Sequence, residues 1–352
     1  MRTNDAEIAR LFLHVERTKT CLVPSCERVR LILQRQIENG KVVRPTRGMY
    51  ARGSYWSGLT RFEQTLHVLR TVQHLHPEWV FCHESAAVVF GLPVSYDRLD
   101  VVHVATSRSR RNANSNGVRW HVVEDDEPVV VRGLRVTSLP RTVFDCMRTA
   151  DFKQALAVAD GALRASGKRS SWFVSRFGNI ATNHAGASHA VRTMRYADAR
   201  SESGGESIAR AAMIQQGFAL PELQVSLPQP LDLKRSFRVD FLWTRLDGGK
   251  VVGEFDGMQK YEDETMLGGR SSLRALADEQ HREAQLTLYG MPIVRFSYQD
   301  VTNASRFARL LECYGIPRSN EAARMERHLA RSRSTSAQIF TVCTLPSGLS
   351  CT

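Results

Sequence analysis

Asp240 and Glu254 each interrupt an apolar, strand-like run, and one turn can fold those runs against each other. Phe237-Arg238-Val239-Asp240-Phe241-Leu242-Trp243 is followed, across Asp247-Gly248-Gly249, by Val251-Val252-Gly253-Glu254-Phe255-Asp256-Gly257. β-Branched and aromatic residues favour strands, and Asp-Gly-Gly favours a hairpin turn. Folding about Asp247 pairs position 240 with position 254, since both lie seven residues from that centre. Opposed residues share a face of a sheet, as do residues two apart on one strand. Asp240, Glu254 and Asp256 are therefore expected together on one face. Carboxylates so crowded repel one another unless a cation lies between them, and hard oxygen donors suit Mg²⁺. That is a starting point for phosphodiester cleavage. Two plainer readings stand beside it. Turn chemistry alone accounts for Asp256-Gly257, though not for Glu254 or Asp240, and a one-residue slip would put the acids on opposite faces.

The elements that must position these acids follow from the surrounding pattern. Ser203-Gly204-Gly205-Glu206 reads as a capping box opening a helix over 207–216. Strands are expected at 222–227, 237–243 and 250–256, a long polar helix at 271–289, a strand at 292–297 and a helix at 302–314. Helix, three strands, helix, strand, helix is the order of the restriction-endonuclease-like core, with a central mixed sheet. Glu206, Arg238-Val239-Asp240-Phe241, Val252 to Gly257, Arg282-Glu283 and Val294 to Val301 resemble the Vsr-like branch of the PD-(D/E)xK nucleases. The resemblance implies metal-dependent cleavage or nicking of DNA. In it Asp240 holds Mg²⁺, Glu254 completes the ion's ligands and Asp256 assists. Glu206 either bonds a water on the metal or simply caps its helix. The family pattern wants Lys two positions after Glu254, where this chain has Asp256; such a Lys orients the attacking water and stabilises developing charge. Lys260 is the nearest substitute. Arg282, on the long helix, is expected to face the phosphate, and the neighbouring His281 the solvent.

The first sixty residues have a different character. Ile8, Leu11, Phe12 and Val15 fall at helical spacing. A second helix is expected to start near Ser25 as N-cap and to stop at Asn39-Gly40, with Val29, Ile32 or Leu33, and Ile37 on its apolar stripe. Its other side carries Arg28, Arg30, Gln34 and Arg35. Lys41-Val42-Val43-Arg44, a turn through Arg47-Gly48, and Met49 to Arg52 then read as a basic two-stranded wing. Arg and Gln can bond guanine and adenine edges in a major groove, and Lys41, Arg44, Arg47 and Arg52 suit phosphates. A solvated charged face is the alternative for the helix taken alone.

Residues 59–165 form an expected compact α/β unit: helices at 62–75 and 84–90, strands at 100–105, 118–123 and 129–136, then helices at 137–147 and 152–163. Ser85 in His83-Glu84-Ser85 lacks a Gly-x-Ser-x-Gly elbow and reads as a cap or packing residue. The basic run Arg108 to Arg111 lies in a polar loop. Glu38 to Ala51, Cys82 to Pro93, Val101 to Ala105 and Val131 to Cys146 together resemble the AbiEi-type antitoxins, over roughly 20–165. That resemblance implies a winged helix that binds operator DNA, followed by a domain opposing a nucleotidyltransferase-like toxin.

The whole chain sets the bounds. Its 352 residues carry 48 Lys plus Arg against 36 Asp plus Glu, a net charge of +12 that favours a polyanionic partner. Seven scattered cysteines contain no Cys-x-x-Cys and no zinc-finger spacing, so free thiols in a reducing cytoplasm are expected and structural zinc is not. No signal core or membrane span is expected. The sequence thus reads as an α/β multidomain (α+β) protein: winged helix-turn-helix (1–58), AbiEi-like α/β domain (59–165), helical connector (166–202), Vsr-like endonuclease-fold domain (203–318) and a disordered tail (319–352). Its expected partner is DNA, with Mg²⁺ as cofactor. A repressor that keeps the nuclease fold only for binding, and an RNA-directed nuclease, are the alternatives.

Overall fold

The computed structural model describes residues 2–107, 117–124, 126–180, 184–257, 280–282 and 284–318. The loop Arg108 to Arg111, Lys260, the expected helical stretch 271–279 and the tail from 319 lie outside the described residues. The fold is a mixed α/β one, dividing into two compact units, Met1–Ala199 and Arg200–Thr352. Among the described residues no helix is long and apolar enough to cross a membrane.

In the first unit, α1 (Arg2–Arg17) and α2 (Glu27–Glu38) precede an antiparallel pair, β1 (Val42–Thr46) and β2 (Met49–Arg52). Ile8, Phe12, Leu22, Val29, Leu33, Val42 and Tyr50 close a small core, the apolar stripe that the helical spacing requires. Leu22, in the stretch where no helix could be read, bridges to Tyr50 of the wing. The N-cap of α2 is Cys26 rather than Ser25, with extended backbone and no side-chain cap bond. The helix starts there without a polar cap, so the serine was a misleading signal.

Helices α3 (Gly53–Ser57), α4 (Arg61–Leu75) and α5 (His83–Phe90) lead to the parallel strands β3 (Val102–Thr106) and β4 (Val118–Val122). The stretch expected as one strand, 129–136, is instead a tight hairpin of β5 (Val129–Val131) and β6 (Leu134–Val136). It turns at Arg132-Gly133, both with positive φ (51° and 78°), as a two-residue hairpin requires. An Arg-Gly pair is a weak turn signal because Arg rarely takes that conformation. Helices α6 (Leu139–Thr149), α7 (Phe152–Ser166), α8 (Ser170–Ile180) and α9 (Ala187–Met194) follow. Phe144, Ala159, Phe173, Phe177, Ala190 and Met194 share one core. The two helices expected as a connector are thus packed into the first unit.

The second unit opens with α10 (Gly204–Gln216). A four-stranded sheet follows, built from β7 (Glu222–Gln229), β8 (Asp232–Thr244), β9 (Lys250–Asp256) and β10 (Ile293–Ser297), in the order β10-β9-β8-β7. Only β10–β9 is parallel, so the sheet is mixed. The helix expected at 302–314 is α12 (Ala304–Cys313), capped by the Asn303 side chain, and a short α11 (Tyr298–Thr302) that was not expected precedes it. Phe241, Trp243, Val251, Phe255 and Phe296 cover one face of the sheet with Ala209 and Met213 of α10 and Phe307 of α12. Val239, Leu242, Val252 and Leu286 form a core on the other.

Candidate functional site

The β8–β9 hairpin is centred on Asp247: Thr244 pairs with Lys250, Trp243 with Val251, Leu242 with Val252 and Phe241 with Gly253. Asp247 Oδ1 accepts from Gly249 N at 2.9 Å, which fixes the turn and hence the register. One step beyond the last named pair, the register sets Asp240 opposite Glu254. There the ladder changes. Asp240 Oδ2 accepts from the backbone N–H of Phe255 at 2.9 Å, and Gln224 Nε2 donates to Asp240 Oδ1 at 3.3 Å.

A kink shared by two strands explains this departure. Val225 pairs with Val239 and Leu223 with Phe241, so Gln224 lies opposite Asp240. Leu223 and Phe241 pack on one face of the sheet and Val225 and Val239 on the other, so the pleat reverses at Gln224 and Asp240. Gln224 has φ +53°, a conformation that costs an ordinary residue on the order of 1–3 kcal/mol and marks functional positions more often than idle ones. Nothing in the residue type announces it, and Gln224 is the member of the site that sequence reasoning missed.

Gln224 Nε2 also donates to Glu206 Oε2 at 3.0 Å, and Glu202 N donates to the same oxygen at 2.9 Å. Glu206 lies in the first turn of α10. Ser203 Oγ accepts from Glu206 N at 3.1 Å, and the Glu206 carboxylate reaches Glu202 N in place of the Ser203 N–H that a capping box would use. Gly205 permits the approach of α10 to the sheet: a Cβ there would stand 2.1 Å from Phe255 Cε1. Burial, and then the Asp240 carboxylate, hold the Glu206 carboxyl above its ordinary range.

Glu254 is buried. Arg282 Nη2 donates to Glu254 Oε1 at 2.8 Å and to Arg238 O at 2.7 Å. His281 Nε2 lies 2.9 Å from Gln285 Nε2. Asp256 is more exposed, with its Oδ1 3.9 Å from Arg295 Nε. The structure thus joins Asp240 to Glu206 through Gln224, and Glu254 to Arg282. It does not bring oxygens of Asp240, Glu254 and Asp256 within 4.8 Å of one another, among the described residues.

The raised Glu206 carboxyl carries a sign that can be checked. The unfolded chain ionises near 4.5 and the folded one higher, so folding is disfavoured increasingly as pH rises through that window. Glu206→Gln keeps an acceptor for Gln224 and Glu202 N and removes the charge. It is expected to raise the melting temperature over wild type at pH 7, with the gain fading as pH falls towards 4.5. An equal gain at both values would exclude ionisation as the cause.

On α2, Arg28, Arg30, Gln34 and Arg35 are exposed, as are Lys41, Arg44 and Arg47 on the wing. Arg30 is paired with Glu27 of its own helix through Nε at 2.8 Å. Arg52 is half-buried and binds Glu16 of α1, its Nε 2.9 Å from Oε1, so its charge is largely matched within the fold.

No protein-family model matches the chain. Two proteins of Mycobacterium tuberculosis are similar to it: the uncharacterized protein MT2308 of strain CDC 1551 / Oshkosh and the uncharacterized protein Rv2248 of strain ATCC 25618 / H37Rv. Each is 30% identical over 203 residues, which is 58% of this chain and 65% of the relative. The match therefore spans just under two thirds of the relatives' length.

Proposed function

We propose that the chain is a DNA-binding protein whose second unit is a Vsr-like, Mg²⁺-dependent endonuclease that nicks or cleaves phosphodiesters. The observation that carries this reading is the hydrogen-bonded arrangement Glu206–Gln224–Asp240, with Glu254 opposite Asp240 in the strand register. The donor set fits the ion: every candidate ligand is a hard carboxylate, and the Asp240 carboxylate adds to the burial that raises the Glu206 carboxyl, a like-charge neighbour that a divalent cation would offset. Asp240 and Glu254, with Asp256, would hold it, and a bound Mg²⁺ supplies positive charge to the phosphate oxygens. Glu206 can keep a proton at Oε1, since Oε2 accepts from Gln224 Nε2 and Glu202 N. Arg282, now on Glu254, can turn its guanidinium to a phosphate oxygen, which it matches in charge and geometry. Lys260 is proposed as the basic group that position 256 lacks.

Arg282 also supports a second reading. A guanidinium on a buried carboxylate is already a counter-charge, and with Asp256 in place of the family lysine the site can persist without an ion. The protein would then be a type IV antitoxin-like repressor, its first unit AbiEi-like, with operator DNA and a nucleotidyltransferase-like toxin as partners. Supercoiled and linear DNA incubated with the protein and Mg²⁺ or Mn²⁺ separates the two. Metal-dependent nicking is expected; retardation without cleavage under every condition overturns the nuclease and leaves the repressor.

Both readings use the wing, and its contribution is measurable through salt. Each phosphate contact adds about 0.9 to the slope of log affinity against log salt on duplex DNA. The double variant Lys41→Ala/Arg44→Ala is expected to lower that slope by about 2 and to weaken all sequences alike. An unchanged slope would place DNA elsewhere on the molecule.

A further inference from the structure

Cys82, His83 and His121 each offer a ligand atom, and these atoms lie within 4.8 Å of one another, the one such group among the described residues. The fold builds this juxtaposition from distant parts of the chain. Residues 80–82 pass between β3 and β6, with Phe81 bridging to Val104 and Val136: Ala105 N donates to Val80 O, Phe81 N to Arg135 O and Cys82 N to His103 O, at 2.8–3.1 Å. Cys82 and His83 are thereby delivered beside His103 of β3 and His121 of β4. Cys82 and His83 are buried.

A second observation points to a ligand. Nδ1 of His83 is fully buried, and no hydrogen-bond partner meets it, although buried polar atoms are nearly always satisfied. His83 is only 3% exposed, so solvent does not supply the missing partner. Its backbone φ of +47° is uncommon for any residue other than glycine. Around the three side chains stands a set of orienting groups. His103 Nδ1 lies 2.8 Å from His121 Nε2, and His103 Nε2 lies 3.6 Å from Glu84 Oε2. A group bonded to the far nitrogen of a metal-bound imidazole orients it, and His103 stands in that place for His121; Glu84 itself is held by Arg98 Nη1 at 2.5 Å.

We propose that Cys82, His83 and His121 form a zinc-class metal site in the first unit, with His103 orienting His121. One thiolate and two imidazoles select an ion of borderline softness over Mg²⁺ or Ca²⁺. A cavity of about 300 Å³ lined by His83, His103, His121 and Arg119 adjoins the two imidazole ligands and would leave room for a fourth, non-protein ligand. Three protein ligands with one open position is the arrangement of reactive zinc sites rather than closed structural ones. Neutral imidazole and thiolate are the forms that bind such an ion. Binding would release the Cys82 thiol proton to solvent as the sulfur–metal bond forms; the rings of His83 and His121 already lie 3.7 Å apart at their centroids.

The test uses the untagged full chain with excess Mg²⁺ present, so that oxygen-rich sites are filled. One equivalent of Zn²⁺ is expected to survive dialysis, with release of a proton on binding. Co²⁺ in its place should give tetrahedral d–d bands and a sulfur-to-cobalt charge-transfer band. Cys82→Ser should abolish the charge-transfer band, and His121→Ala should weaken affinity by more than the ~10–100-fold that loss of an orienting partner costs. His83→Asn, which tolerates positive φ, should behave as His121→Ala does. X-ray absorption at the zinc edge of the wild type needs no variant and should show one sulfur at about 2.3 Å with nitrogens at about 2.0–2.1 Å. No retained zinc, no sulfur in the ion's ligand set, or a charge-transfer band that persists in Cys82→Ser overturns the proposal.

Discussion

Asp240→Asn and Glu254→Gln should each lower metal-dependent nicking by a factor on the order of 10²–10³, the range for losing one preorganised group that stabilises transition-state charge, while DNA retardation stays at the wild-type level. Both substitutions preserve shape. An asparagine oxygen can still accept from Phe255 N, which Asp240 now does at 2.9 Å. A glutamine oxygen can still accept from Arg282 Nη2, now 2.8 Å from Glu254. What disappears is the negative charge that an ion requires. Effects of groups acting on one ion are not additive, so the double variant should be scarcely worse than either single one. The measurement is the initial nicking rate on supercoiled DNA at saturating Mg²⁺ or Mn²⁺, with melting temperatures taken in parallel. A nuclease that keeps its rate in both variants does not use these acids, and its chemistry would have to be sought elsewhere on the chain.

The legibility of this site in the sequence was uneven, for identifiable reasons. The register of the central hairpin is set by one turn, Asp247-Gly248-Gly249, and by apolar alternation, both local properties. The pairing of Phe241 with Gly253 is the register expected from folding about Asp247. The sheet order and its single parallel pair follow from the alternation of strands and helices. Alternation says nothing, however, about where it reverses. The pleat changes sense at Gln224 and Asp240 through one positive φ, and a glutamine carries no mark of that. The face shared by Asp240, Glu254 and Asp256 was inferred from regular geometry, whereas the structure aims Asp240 along the sheet at Phe255 N and at Gln224. Arg132 hid a hairpin in the same way. The Cys82, His83 and His121 cluster was invisible for a different reason: its spacing in sequence follows no metal motif, since the proximity comes from parallel strands and a crossing segment. Zinc was set aside on spacing alone, and spacing records only local contacts.

Removal of Asp145 should be the most damaging single change to the first unit. Its carboxylate is fully buried on α6, with Arg141 Nε 2.7 Å from Oδ2 and Arg148 Nε 2.8 Å from Oδ1. Arg141 is itself buried, and its Nη1 continues to Glu124 O at 3.1 Å. Asp145→Ala leaves a guanidinium without its carboxylate in a low-dielectric interior, a loss of about 3–5 kcal/mol in comparable buried pairs. Much of that is the penalty of the orphaned partner rather than the worth of the pair. Arg141→Met/Asp145→Leu, which removes both charges and keeps apolar volume, should therefore recover most of the loss. Urea unfolding followed by tryptophan fluorescence reads this unit well, because Trp56, Trp79, Trp120 and Trp172 lie in it and only Trp243 does not. Burial pushes the Asp145 carboxyl up, and His83, Arg141 and Arg148 together outweigh it, so the folded value lies below 3.8. The network's contribution is thus complete above about pH 4 and is lost as pH falls through the lower folded value. The wild type should lose the first unit's transition in acid, while the doubly apolar variant should lose less. If Asp145→Ala and the double variant are equally unstable, packing on α6 rather than charge pairing holds this region, and the carboxylate's place between two arginines would be incidental to its stability.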